Sequence, residues 1–145
     1  MNTAVDIETV AHWFLSQEAM SGVRMQRLCY YAQCWHLALY DGRKLFPEMF
    51  QAWIYGPVCP KLYEIYSSWS GKIYEKCEKP VFPAETEAFL KRVWDAYGSL
   101  SEEDLNRLVE SEFPWFSARR GVGPADACTR EISIPDILSF YIPED

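Results

Sequence analysis

The chain has 145 residues, the usual size for one hydrophobic core, and its apolar fraction of 49%, with six Trp, nine Tyr and eight Phe, excludes a disordered chain. Fourteen basic against twenty-one acidic side chains leave a net charge of -7, which argues against direct nucleic-acid binding and suits a basic protein partner. Five cysteines form no even framework, no basic leader with an apolar stretch opens the chain, and no apolar run approaches the ~18 residues of a membrane span, so a soluble cytoplasmic protein is expected, without a membrane partner.

Asp6 caps a first predicted helix whose apolar residues Ile7, Val10, Ala11, Phe14 and Leu15 recur at helical spacing, with an end between Ser16 and Met20. After Ser21-Gly22 the run VRMQRLCYYAQCWHLAL is apolar over most of its girth, which places it at the centre of the fold. Asp41-Gly42 stops it. The segments RKLF and MFQAWIY, on either side of Pro47-Glu48, are rich in β-formers and predict a small hairpin or two short strands, confined to an edge by Pro47. From Pro57 a third helix is predicted through Val58, Leu62, Ile65, Tyr66 and Trp69, ending at Ser70-Gly71, with Gly56 making the reversal before it.

Lys72 to Pro83 is polar and broken by Pro80 and Pro83, a surface connection. A fourth helix runs from Ala84 to a stop at Gly98, with Phe89, Leu90, Val93, Trp94 and Tyr97 as its apolar set. Ser101 starts a fifth, its hydroxyl followed by three acids that favour a positive helix end. Pro114-Trp115 opens a short helical turn, GVGPADACTR is a loop, and REISIPDILSFYI reads as a short strand joined by Pro135 to a final helix. Ile142 to Asp145 form a loose end. The expectation is one mainly α domain over 1–145, α+β in the strict sense, with about six helices packed round a central one and two or three short strands.

His12, Cys29, Cys34, His36 and Cys59 lie in the N-terminal half, yet none forms the close ligand pair that zinc sites use, and Cys29 and Cys34 point about 140° apart on a helix. Neither a metal nor a cofactor is expected. Cys59, near a helix start, is the one candidate nucleophile, with His36 or His12 as conceivable base; between two prolines it reads better as packing. The acids Glu102, Glu103, Asp104, Glu110 and Glu112 flank helix ends, where caps and solvated faces account for them. No phosphate-loop, dinucleotide or zinc-protease motif is present. The aromatics Trp53, Tyr55, Tyr63, Tyr66 and Trp115 admit two readings, core filling or anchors of a protein interface.

The order VAHWFL, MQRLCYYAQCWHLALYDGRKLF, FQAWIYGPVCPKLYEIY, VWDAYGSLSEEDL, ESEFPWFSAR resembles the Panacea antitoxin domain, also described as SocA-like or phage-associated GepA-like, over nearly the whole chain. Its most specific piece is Trp53, Tyr55, Gly56, Pro57, Val58, Pro60, Leu62 and Tyr63, supported by the helix from Met25 to Ala32 and by Pro114-Trp115. The resemblance implies a non-enzymatic antitoxin, encoded beside a toxin in bacteria or prophages and neutralising it by direct contact. One relative resembles a proteolytic adaptor, so a protease or chaperone is a second implied partner. On this basis the partner surface is expected at Trp53, Tyr55 and Tyr63, with Arg27 and Trp115 as supports. Two positions depart from the pattern: Arg27 stands where a lysine is usual, and Glu110 where many members carry a histidine.

Overall fold

The computed structural model describes residues 5–67 and 71–142. Its elements, in chain order, are α1 (Ile7–Leu15), β1 (Met20–Ser21), α2 (Gly22–Leu39), β2 (Gln51–Trp53), β3 (Gly56–Val58), α3 (Pro60–Ile65), β4 (Ile73–Tyr74), α4 (Ala84–Tyr97), α5 (Glu102–Glu110), α6 (Phe113–Ala118) and α7 (Ile134–Tyr141). The fold is mainly α with very small sheets.

Local sequence explains most of the helix boundaries. At α1, Asp6 Oδ1 accepts from the Thr9 amide at 2.8 Å and Thr9 Oγ1 accepts from the Asp6 amide at 3.3 Å, a reciprocal cap. Ser21, Ser101 and Ser133 cap α2, α5 and α7 one way only, each hydroxyl taking the amide three residues on. Asp41 and Gly42, both at positive φ, end α2.

The predicted central helix is central. α2 packs against α1, α4, α5, α7 and β3, and Met25, Leu28, Cys29, Tyr31, Ala32, Cys34 and Leu37 on it are fully buried. Around it close Trp13 and Phe14 of α1, Leu90 of α4 and Leu105 of α5. Burying each large side chain is worth about 1.5–3 kcal/mol, so α2 supplies the largest share of the driving force.

The small β part departs from expectation. Arg43 to Phe46 forms no strand, because its backbone is claimed by a side chain: Gln33 Oε1 accepts from the Leu45 amide at 2.7 Å and Gln33 Nε2 donates to the Phe46 carbonyl at 2.8 Å. The strand at Gln51–Trp53 is present, but its antiparallel partner is Gly56–Val58, in the register Gln51↔Val58, Ala52↔Pro57, Trp53↔Gly56. Pro57 is therefore a strand residue and not the start of a helix. Its missing N–H costs nothing there, because Ala52 points its own amide away, to the Arg130 carbonyl at 2.9 Å. Pro60 takes the role of first helical residue, and α3 ends at Ile65, short of the predicted Tyr66, whose backbone has left helical geometry; the rest of the predicted extension, to Trp69 and Ser70, lies outside the described residues, as do 143–145 of the predicted loose end.

Two smaller differences concern the connections. Ile73 and Tyr74, inside the predicted surface stretch, pair with Met20 and Ser21. The strand expected before Pro135 reduces to one bridge, Gln51↔Glu131, and α7 begins at Ile134 with Pro135 in its first turn.

Candidate partner-binding site

The β2–β3 hairpin turns at Ile54-Tyr55, and both residues have negative φ, so the primed two-residue turns are not used. Gly56, at φ +127°, supplies the left-handed residue that closes the reversal. A second constraint acts on the same glycine. A Cβ placed there would lie 2.7 Å from Cζ and Nη2 of Arg27. The Y-G-P sequence is thus a turn folded over a guanidinium.

Arg27 is 2% exposed and ties that turn to α5: Nη1 donates to the Pro57 carbonyl, Nη2 to the Tyr55 carbonyl at 2.6 Å, and Nε to Asn106 Oδ1 at 2.8 Å. Burial pulls its pKa down to about 10, while Glu110 and Glu102 act in the opposite direction, so it stays a cation at neutral pH. Position 27 and position 110, the two departures from the resemblance, are therefore coupled through space.

The other side of the hairpin is held by α6. Arg119 Nη1 donates to the Ala52 carbonyl at 2.9 Å, and Nη2 donates to the carbonyls of Gly123 and Asp126 at 3.0 and 2.7 Å. Its guanidinium lies 5.5 Å from the Trp115 ring centre, and Trp115 Nε1 donates to the Trp53 carbonyl at 2.9 Å. Four hairpin carbonyls, at 52, 53, 55 and 57, are thus taken by two buried arginines and an indole. After the hairpin, Gln26 grips the Cys59 backbone from both directions, accepting from its amide at 2.9 Å and donating to its carbonyl at 3.1 Å.

What the bracing presents to solvent is Tyr55, 59% exposed at the tip. Trp53 is half-buried, its ring 5.3 Å from that of Tyr63 and its Nε1 donating to Gln51 Oε1 at 2.8 Å. Two open clefts flank the tip. One, of about 320 Å³, lies between Trp53, Ile54, Tyr55 and residues 127–129; the other, of about 330 Å³, lies towards α5 and is lined by Arg27, Trp53, Tyr55, Val58, Glu102 and Asn106 among others.

The five expected surface residues come together, but with different places in the structure. Tyr55 is exposed, Trp53, Tyr63 and Trp115 are half-buried, and Arg27 is a brace beneath the turn. Gly56, Pro57 and Val58 form β3, while Pro60 and Pro114 sit in the first turns of α3 and α6. Gln26, Gln33, Asn106 and Arg119 were not anticipated. The readable signal for the two glutamines is that they are polar positions on a helix apolar over most of its girth.

Other sequence candidates lie elsewhere. Cys59 is buried, and burial pushes its thiol pKa up, against the pull of the Leu62 and Lys61 amides at the start of α3. Cys29 and Cys34 are likewise buried and shifted upward by desolvation. His36 Nδ1 lies 2.7 Å from the Arg43 carbonyl, and His12 packs edge-on to Tyr66. Among the described residues, no three His, Cys, Asp or Glu side chains come together as metal ligands, and no helix is long and apolar enough to cross a membrane.

Fold and site define a mainly α domain that displays a braced aromatic hairpin. The family model described as antitoxin SocA-like, Panacea domain, matches residues 25–116, from the first turns of α2 to α6, and the chain belongs to that family. Comparison with curated proteins and with solved structures gives no match.

Proposed function

We propose that this protein is an antitoxin that neutralises a cognate protein toxin by direct contact through the β2–β3 hairpin face. The observation that carries the reading is the exposed Tyr55 on a turn whose carbonyls are fixed from beneath, between two clefts walled by Trp53. A rigid aromatic on a preorganised turn loses little entropy on binding, and aromatic anchors beside pockets dominate protein interfaces. The matched family segment also contains the hairpin and, Arg119 apart, the side chains that brace it.

The test is genetic and biochemical together. The open reading frame adjoining this gene is expressed alone and with this protein, growth is followed, and the pair is co-purified. A toxic neighbour rescued by a stable complex, with rescue lost in Tyr55→Ala while the circular dichroism spectrum is kept, is the expected result. A harmless neighbour and no co-purifying partner would remove the reading. Falling toxin levels that depend on a host protease would replace steric neutralisation with the adaptor mechanism.

A further inference from the structure

The cleft between the hairpin tip and α5 has a chemistry more specific than its size. Its walls include Val58 and the rings of Trp53 and Tyr55, apolar surface suited to the methylene stem of a long side chain. Aromatic faces at the mouth of a cleft attract cations. Glu102, half-buried, also lines it, with one carboxylate oxygen taking the Ser21 hydroxyl.

Arg27 borders the same cleft, and its charge would favour an acidic occupant if its donors were available. Each of its three nitrogens already donates, to Pro57, Tyr55 and Asn106, and the group is 2% exposed with Glu110 and Glu102 acting on it. An incoming carboxylate would have to displace the hairpin's own carbonyls and pass Glu102. The surrounding charge points the same way. α5 carries Glu102, Glu103, Asp104 and Glu110 against the single cation Arg107, which is tied to Asp104 at 2.7 Å, and the whole chain is at -7.

Resting on the antitoxin reading above, we infer that this cleft takes one lysine or arginine side chain of the protein partner. Its stem lies along Val58 and Trp53, and its charge sits between the Tyr55 ring and Glu102. The partner surface is accordingly basic, and association slows as salt is raised.

A probe that does not require the toxin tests this. The ¹⁵N-labelled full chain is titrated with the capped tripeptides acetyl-Leu-Arg-Leu-amide, acetyl-Leu-Gln-Leu-amide and acetyl-Leu-Glu-Leu-amide, following the Trp53 indole N–H and the amides of Val58 and Glu102. The arginine peptide is expected to shift these signals saturably and to bind at least about threefold more tightly than the glutamine peptide, a preference abolished in Glu102→Gln. Equal binding of the glutamine peptide, binding of the glutamate peptide at these signals, no saturable shift there, or a preference that survives Glu102→Gln would each overturn the inference. A positive titration beside a harmless neighbouring gene would sink the antitoxin reading and leave the cation cleft standing.

Discussion

Replacing Gly56 with alanine probes the site at its most constrained atom. The new Cβ would sit 2.7 Å from Cζ and Nη2 and 3.2 Å from Nε of Arg27, on a residue held at φ +127°. The backbone strain alone costs about 1–3 kcal/mol. Arg27 must also retreat, giving up at least one hydrogen bond from a charged donor to the Tyr55 or Pro57 carbonyl, about 1.5–3 kcal/mol more. The sum, about 2.5–6 kcal/mol, is a large part of the ~5–15 kcal/mol that holds a domain folded. Urea denaturation followed by tryptophan fluorescence measures it as a drop in midpoint at constant slope. In an Arg27→Lys background, without the planar fork beneath the turn, the same substitution should cost only the strain. A loss below about 1 kcal/mol in the wild-type background, or full additivity of the two changes, would refute the turn-over-guanidinium geometry.

Gln26→Leu strands the buried amide and carbonyl of Cys59 and should destabilise by about 2–4 kcal/mol in the same assay, whereas a change under 0.5 kcal/mol would show that the grip is dispensable. Tyr55→Ala, at an exposed tip, should move stability by no more than about 0.5 kcal/mol while weakening toxin binding at least tenfold by calorimetry; intact binding would place the interface elsewhere. Glu112 is buried, with Oε1 accepting from the hydroxyls of Tyr31 at 3.1 Å and Tyr141 at 2.8 Å, and desolvation raises its pKa above the ordinary 4.5 despite these bonds. A carboxyl with a raised folded pKa favours the folded state below the ordinary value and loses that contribution as pH rises through the folded pKa. Glu112→Gln, which removes the buried charge and keeps an acceptor for both tyrosines, should therefore match or exceed wild-type stability at pH 7, with its relative advantage shrinking towards pH 4. Thermal melts that instead show this variant at its greatest disadvantage at pH 7 would mean that the ionised carboxylate is required.

Much of the helical frame is legible without coordinates. The caps Asp6 and Ser101, the stop at Asp41-Gly42 and the periodic apolar sets act within one or two turns, so their signals are local. The same holds for the central place of α2, since a helix apolar over most of its girth belongs inside. The importance of Tyr-Gly-Pro was readable too, but only as a motif.

Its reason belongs to the tertiary structure. The groups that shape the hairpin are far away in sequence: Arg27 reaches residues 55 and 57, Gln26 reaches 59, Arg119 reaches 52 and Trp115 reaches 53. Propensity along the chain cannot see a donor that arrives from another helix. For that reason the β-formers of Arg43–Phe46 lost their strand to Gln33, and Pro57 entered a strand where a helix start was expected. The sequence alone determined a mainly helical fold and marked Tyr-Gly-Pro as its most specific motif. Only the assembled fold decided that Arg27 lies beneath the turn and Tyr55 above it, because that division depends on which side of the hairpin α2 and α5 occupy.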